Sequence, residues 1–442
     1  MISKFFKYVS LNVIGMVGIS LYILADTFFI SKALGTDGLA ALNFTLAIFN
    51  IMNGLGLMIG IGGAARYSIL NSLGKKEAAG QIFMNSLYIG AAVSFVLMIT
   101  GAFFIGDILS LLGADGAALA HSQVYMSTML SFSPCFILNT ILTAFIRNDN
   151  NPQICMTATL TSSISNIILD YFFIFILNQG MYGAVFATGL APIISMLILT
   201  KHLRSKNNTI ALHSSTIDIK KIGSLAKLGV SSLISELSSA ITVTVFNFVL
   251  LKINGNTGVA AYGIIANVAL VATSVFSGVA QGIQPLASKE YGHSNNQSLL
   301  KLIKYSAITA ITISAAIYLT VFFKAEKISD FFNSEKNDVL AQISIDGLEI
   351  YFFGFFFAGI NVIAASFFSA VDSAKKAFVT SILRSAVLIV PSVLVLSSLL
   401  GIKGVWLSFT VTEFLACIVT IINICKSEYF NFNKKNENIG IT

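Results

Sequence analysis

Charged side chains are scarce in this sequence. They make up 11% of its 442 residues, whereas apolar residues make up 55%; an ordinary soluble domain is about 25% charged. Polar breaks separate apolar runs that recur from end to end, and many runs exceed the ~18 residues that distinguish a membrane span from a buried core helix. This composition excludes a typical water-soluble enzyme and indicates an all-α polytopic membrane protein.

Cysteine and histidine are also rare, with four of each. The cysteines lie inside or at the ends of apolar segments without paired spacing, so we interpret them as small packing residues. We find no HExxH pattern, no Ser with a His, and no paired acids for Mg²⁺ beside a membrane-surface loop, so a membrane enzyme is not indicated. The net charge of +7 is spread over short loops, which argues against nucleic acid as a partner.

Apolar runs between polar breaks predict twelve helices. The first run continues past Asp26 without a small-residue cleavage pattern, so it is interpreted as a span rather than a signal peptide. With the N-terminus inside, 21 of the 27 Lys and Arg residues fall on the cytoplasmic side, which predicts that both termini are cytoplasmic. The predicted helices are 5–31, 39–70, 82–110, 121–147, 153–177, 181–203, 225–252, 258–288, 301–323, 345–371, 377–400 and 402–425.

The two halves of the chain repeat each other. The segment "KALGTDGLAAL" at 32–42 aligns with "KINGNTGVAAY" at 252–262, at an offset of 220. The longest polar stretch between spans lies between the sixth and seventh helices. We therefore predict two pseudo-symmetric six-helix lobes around a central cleft, the plan of many secondary transporters. The predicted units are an N-lobe at 1–203, a linker at 204–224, a C-lobe at 225–426 and a cytoplasmic tail at 427–442.

Few ionisable residues lie deep in the predicted spans, where a charge needs a partner, a wet cavity or a function. Asp26, Asp170 and Glu236 stand out. An interfacial position is the alternative for Asp26, and hydrated packing is the alternative for Glu236. Asn166, four residues before Asp170, and Thr188 fall with both aspartates in the external halves of helices one, five and six. These oxygens suit a hard monovalent cation or a proton shared between the acids.

Other charges are given simpler interpretations. His121 and Glu413 have no partner that the sequence identifies. A further set of charges flanks predicted helix ends, where we interpret most as snorkelling or topology-setting charges and a few as partners in ion pairs at a gate. These residues are Arg147, Asp149, Asp372, Lys375, Lys376 and Arg384.

Three motifs make the chain resemble the MATE family, the multidrug and toxic compound extrusion transporters, over about residues 5–425. They are "ADTFFISKALGTDGLAAL" at helices one and two, "NIILDYFFIFILNQGMYGAVFAT" at helices five and six, and "QGIQPLASKEYG" at helix eight. The resemblance implies a cation site that falls on Asp26, Asn166, Asp170 and Thr188, which would hold Na⁺ in a Na⁺-coupled member. A neighbouring tyrosine would fall on Tyr125, and the helix-seven acid of some branches on Glu236.

The resemblance implies a Na⁺- or H⁺-coupled antiporter that works by alternating access. It would export lipophilic, often cationic drugs, including antibiotics, from a cell membrane, as a monomer and without a cofactor. A lipid-linked or polyisoprenoid flippase is the alternative of similar architecture. The chain departs from the family in two places: Tyr171 follows the helix-five acid where proline is common, and helix one has no early proline, so that Gly15 and Gly18 are its sites for a bend.

Overall fold

A computed structural model describes residues 1–111, 116–205, 208–210, 219–333 and 336–427. Over these ranges the chain is α-helical and contains no strand, as expected for a chain that must satisfy its backbone groups inside a bilayer. The predicted tail falls outside the described residues apart from Ser427, and so does much of the predicted linker.

The part of the chain that the structure describes forms twelve membrane-spanning helices. Within the described residues nine helices are long and apolar enough to span a membrane. Gly255 divides one of them, and two bent pairs each form one further span, which brings nine to twelve. The helices are α1 Ile2–Gly35, α2 Asp37–Ser72, α3 Lys76–Phe103, α4 Gly116–Ser131 with Ser133–Asn148, α5 Pro152–Ile176, α6 Gly180–Leu203, α7 219–254, α8 256–292, α9 Asn296–Phe332, α10 Asp338–Phe353 with Phe355–Ala370, α11 Ala374–Leu400 and α12 Ile402–Cys425.

The predicted helices are confirmed in number and order, and the differences lie at their ends. α9 extends to Phe332 rather than residue 323, because a charged stretch ends a hydrophobic run without ending the helix. α4 bends by 51° between Ser131 and Ser133, and α10 bends by 45° at Gly354. A short helix, Ile105–Leu111, follows α3.

Two glycines mark the internal repeat in three dimensions. Gly35 turns the chain from α1 into α2 with φ 63° and ψ −143°, and Gly255 turns it from α7 into α8 with φ 60° and ψ −150°. A residue with a Cβ would be strained at these positive φ angles. The two positions differ by 255 − 35 = 220, the offset of the sequence repeat.

Each lobe has its own core, and the first turns of α1 and α7 each pack into the core of the opposite lobe. One buried apolar cluster is drawn from α1–α6 and the other from α7–α12. Phe5, in the first turns of α1, belongs to the second cluster, and Leu225, in the first turns of α7, belongs to the first. These residues also differ by 225 − 5 = 220. α1 and α7 therefore cross at the end of the bundle that carries the N-terminus and the α6–α7 linker, called here the linker end.

Glycines allow the lobes to approach closely at this crossing. A Cβ added to Gly62 of α2 would lie 2.2 Å from the carbonyl oxygen of Leu225, and one added to Gly229 of α7 would lie 1.8 Å from that of Met58. Gly282 of α8 faces the backbone of α1 in the same way. Direct contact between helix backbones thus joins the lobes near the linker end.

Gly15 and Gly18 do not bend α1. Gly35 is where the stretch Ile2–Ser72 leaves helical φ and ψ. A Cβ on Gly18 would lie 2.7 Å from the side chain of Leu160, and one on Gly15 would lie 3.8 Å from Thr159. Both glycines therefore serve close packing of α1 on α5 in this conformation.

Polar side chains at the linker end also connect the lobes. The Arg147 guanidinium donates to the side-chain oxygens of Asn12, at 2.8 Å, and of Gln281. Asn148 Nδ2 donates to Gln284 Oε1 at 2.9 Å. The two glutamines of the helix-eight motif therefore accept hydrogen bonds from the end of α4, which belongs to the other lobe. The interpretation of Arg147 as a snorkelling charge is wrong, because it is 3% exposed.

One ion pair joins the lobes at the linker end, and it includes Asp372 from the set of helix-end charges; its role at a gate stays a prediction. Arg66 Nη1 of α2 lies 3.2 Å from Asp372 Oδ2, at the end of α10 in the other lobe. Both side chains are more than a third exposed, so this pair contributes little to stability on its own.

Candidate functional site

Three helices bring four of the predicted site residues into the N-lobe interior. Asp26 lies on α1, Asn166 and Asp170 on α5, and Thr188 on α6. Asn166 and Asp170 are completely buried, and Asp26 and Thr188 are no more than 7% exposed. All four lie toward the end of their helices opposite the linker end.

Asn166 links the α5 carboxylate to α6. In the amide orientation that satisfies both of its polar atoms, its nitrogen donates to Asp170 Oδ2 at 3.2 Å, and its oxygen accepts from the Thr188 backbone N–H at 3.3 Å. In the opposite orientation its nitrogen donates to Thr188 Oγ1 at 3.3 Å. The i, i+4 spacing places both α5 side chains on one helix face, where the amide holds one oxygen of Asp170.

Both carboxylates keep an oxygen without a partner. Asp26 Oδ1 and Asp170 Oδ1 are buried and accept no hydrogen bond from the described residues. The two acids lie within electrostatic range of each other, and among the described side chains neither forms an ion pair with Lys, Arg or His. A buried, unsatisfied carboxylate is costly, so the arrangement calls for a cation or a proton.

Two tyrosines complete the surroundings of the acids. Tyr125 of α4 is buried, and the Thr188 side chain lies in hydrogen-bonding range of its hydroxyl. Tyr22 precedes Asp26 by one helical turn and lies within electrostatic range of both acids. Tyr125 was implied by the family resemblance, whereas Tyr22 was missed, although its i, i+4 relation to Asp26 was a signal.

Glu236 lies apart from this group. It faces α2 from α7: the Asn53 side chain is within hydrogen-bonding range, and a Cβ on Gly54 would lie 3.3 Å from the Glu236 Cβ. The structure therefore places Glu236 between the lobes rather than in the N-lobe set.

The donor set suits a hard cation or a proton. Within the described ranges no three His, Cys, Asp or Glu side chains come together as metal ligands. Two carboxylates, an amide and a hydroxyl are oxygen donors of the kind that hard cations take, and neighbouring carboxylates also share protons readily. The residues fit either Na⁺ or H⁺ as a transported ion.

Asp149 holds a second buried polar cluster, at the linker end of the N-lobe. Its Oδ2 lies 2.7 Å from His202 Nε2 and accepts from the Thr209 backbone N–H at 2.9 Å. Its Oδ1 accepts from the Tyr67 hydroxyl at 3.0 Å. The interpretation of Asp149 as a helix-end surface charge is wrong; it ties α2, α6 and the start of the linker together.

The C-lobe contains a largely buried ion pair that the sequence did not reveal. Arg384 of α11 contacts Glu413 of α12, with Nη2 2.7 Å from Oε1. Glu413, for which the sequence identified no partner, is 3% exposed. The interpretation of Arg384 as a helix-end charge is wrong, because it lies ten residues inside α11.

Comparisons with known proteins agree with this architecture. The family model described as MatE matches residues 13–172 and 231–395. The multidrug export protein MepA of Staphylococcus saprophyticus subsp. saprophyticus is 26% identical over 411 residues, covering 91% of this chain and 88% of that protein. MepA of Staphylococcus aureus is 25% identical over 412 residues with the same coverage.

Solved structures share the fold. A multidrug resistance MATE family transporter of the MOP superfamily, in an outward-facing conformation, superposes with a TM-score of 0.89 at 23% identity, covering 95% of this chain and 94% of that one. A MATE structure in complex with MaL6 gives a TM-score of 0.90 at 23% identity and the same coverage. Two six-helix lobes are thus common to these proteins and this chain.

Proposed function

The chain belongs to the MatE family, and from that premise we propose that it is a multidrug exporter that couples the outward movement of lipophilic, often cationic compounds to the inward movement of Na⁺ or H⁺. The family match and the names of the MepA relatives support multidrug export. The coupling rests on the chain's own N-lobe chemistry.

One observation carries the coupling proposal: Asp26 and Asp170 are buried together, each with an oxygen that no described group satisfies. An ion or proton that enters from outside neutralises them and allows α1, α5 and α6 to repack. Repacking changes the cleft that holds the drug, so ion and drug oppose each other through the two conformations of the lobe, which is reciprocal linkage.

The energy available fits this exchange. An inward-moving monovalent cation gains ~2.3 kcal/mol per 100 mV of membrane potential, in addition to its concentration gradient.

Two contacts close the lobes together at the linker end: Arg66 with Asp372, and Arg147 with its glutamine partner. Separation of those contacts would open the cleft on that side.

We place both termini in the cytoplasm. Arg147 is buried and Arg384 is paired inside a span, so neither belongs in the loop count, which leaves 21 − 2 = 19 of 27 − 2 = 25 basic residues on that side. The excess still follows the positive-inside rule. The linker end then faces the cytoplasm, the Asp26–Asp170 site lies toward the outside, and the protein works as a monomer in the cell membrane among its lipids.

A lipid-linked or polyisoprenoid flippase is less well supported. Such a transporter would need cationic groups in the cleft for an anionic headgroup. Among the described spans, Arg384 is already neutralised by Glu413, and Arg147 is engaged at the lobe crossing.

The test is ethidium transport by the purified protein in liposomes, with Na⁺ and pH gradients imposed separately. We expect one of the two gradients to drive uphill ethidium movement and an ionophore that collapses it to stop transport. Ethidium movement that is indifferent to both gradients would overturn the coupling while leaving facilitated export intact.

A further inference from the structure

The C-lobe differs from the N-lobe in how its buried acid is neutralised. Arg384 Nε lies 3.0 Å from Glu413 Oε1 and 2.9 Å from Oε2, and Nη2 lies 2.7 Å from Oε1. A guanidinium that bridges both oxygens of a carboxylate is the strongest common form of ion pair. The cation that neutralises this acid is therefore part of the chain.

The remaining neighbours of Glu413 complete its hydrogen bonding. Asn361 Nδ2, from α10, donates to Glu413 Oε2 at 2.8 Å and to its backbone carbonyl at 2.9 Å. Thr420 Oγ1 in turn donates to Asn361 Oδ1 at 2.9 Å. Both carboxylate oxygens of Glu413 thus have donors, whereas Asp26 and Asp170 each keep an oxygen without one.

The backbone of α11 is deformed where the arginine sits. Residues Leu383–Val387 form a π-helical turn, and Ser385 departs from helical geometry with φ −83° and ψ −142°. Such turns inside α-helices are frequent at functional sites. Here the turn directs Arg384 toward α12 from a position about 15 Å along the helix, at 1.5 Å per residue, well inside the span.

Two C-lobe positions that correspond to N-lobe site residues are filled by aromatic rings. The repeat offset of 220 matches Asp26 with Phe246, and the glycine pair Gly183 and Gly404, at an offset of 221, matches Thr188 with Phe409. Phe246 stacks on Tyr262 at 4.9 Å, and Phe409 stacks on Tyr351 at 4.1 Å between ring centroids. Those two positions offer no oxygen ligand, and Glu413, at 3% exposed, is the most deeply buried acid among the described residues of α7–α12.

We propose that Arg384 serves as a tethered cation for the C-lobe: it occupies Glu413 permanently, so that the transported ion binds at the N-lobe acids alone. The proposal rests on the proposed coupling for its effect on transport, but not for its effect on binding. Arg384 then sets the number of cations that the protein binds, since the loss of its charge would free Glu413 to bind one more cation.

The experiment counts Na⁺ and H⁺ bound at equilibrium by the purified protein, for the wild type, Arg384→Gln, Arg384→Lys, Glu413→Gln and the double variant Arg384→Gln/Glu413→Gln. We expect Arg384→Gln to bind one more cation, as Na⁺ or H⁺, than the wild type. Arg384→Lys, which keeps the charge, and the double variant, which removes the acid, are expected to return to the wild-type count. An unchanged count in a folded Arg384→Gln protein would overturn the proposal.

Glu413→Gln keeps the proposal testable if Arg384→Gln fails to fold. We expect Glu413→Gln to keep the wild-type ion count while losing thermal stability, because it leaves Arg384 buried without its partner. Loss of one bound cation in this variant would show that Glu413 is itself a coupling acid and would overturn the proposal. Asp170→Asn in the same series separates the two ideas: if it keeps every bound cation the N-lobe coupling fails, whatever the Arg384 variants show.

Discussion

Asp26 on α1 and Asp170 on α5 lie within electrostatic range of each other, and each keeps one buried oxygen without a hydrogen-bond partner among the described residues. The two residues are 170 − 26 = 144 positions apart. Packing of α1 on α5 at Gly15 and Gly18 brings them together. A lobe that buries two acids and leaves them incompletely satisfied is suited to taking up and releasing a cation.

Asp26→Asn should lower coupled drug efflux by about tenfold or more, as expected when a transported charge loses one of two neutralising groups. The amide has nearly the shape of the carboxylate, so expression should be unchanged. Ethidium efflux from cells measures the effect. Asp346→Asn is the control, since Asp346 is partly exposed and its Oδ2 lies 3.6 Å from Nζ of the exposed Lys403. Equal efflux from both variants would contradict a special role for Asp26.

Thr188→Val removes a hydroxyl and keeps the side-chain shape. The apparent affinity for the coupling ion should fall about fivefold to tenfold, corresponding to the ~1 to 1.5 kcal/mol of a hydrogen bond, with little change in the maximal rate. Drug transport measured against Na⁺ and H⁺ concentration tests this. Thr244→Val is the matched control, because the Thr244 hydroxyl is exposed and bonds its own helix at Ala240; the same shift there would show a nonspecific effect.

Gly229→Ala should push the lobes apart at the linker end, because its Cβ would lie 1.8 Å from the Met58 carbonyl oxygen. The distance between spin labels at Lys76 and Asn296, which begin α3 and α9, should lengthen or broaden. Gly263→Ala is the control, since a Cβ there has open space within 4 Å. An unchanged distance distribution in Gly229→Ala would show that the two backbones are not in close contact.

Asp149→Asn should destabilise the N-lobe and release the start of the linker. A hydrogen bond to a charged group contributes about 1.5 to 3 kcal/mol, and His202, Tyr67 and Thr209 all lose a carboxylate partner. Thermal unfolding and the rate of proteolysis within residues 204–221 report the two effects. Asp107→Asn, at an exposed position in the short helix after α3, should change neither; a stable, protease-resistant Asp149→Asn protein would show that the cluster does not hold the linker.

The sequence predicted the architecture because membrane spans leave long apolar runs and the repeat leaves paired glycines, Gly35 and Gly255. It indicated the four polar residues that the N-lobe buries because Asn166 and Asp170 share a helix face and the motif around them is distinctive; their role as an ion site stays a prediction. Helix ends were less predictable: the charged end of α9 remains helical, because leaving the apolar layer does not break a helix.

Tertiary partnerships were harder to predict than single residues. Arg384 and Asp149 lie near charged or polar positions in the sequence, so they were interpreted as surface charges. Their burial depends on a π-helical turn in α11 and on the return of the linker against α6, neither of which has a periodic signature. Glu413 had no local partner to identify, because Arg384 lies 413 − 384 = 29 residues away on another helix.

Ethidium transport by Asp170→Asn in liposomes, under the gradient that drives the wild type, tests the central claim most directly. The account predicts that the variant inserts and folds like the wild type but no longer moves ethidium uphill, and that ethidium no longer elicits counterflow of the ion. Undiminished, gradient-dependent ethidium transport by this variant would contradict the assignment of coupling to the buried N-lobe acids.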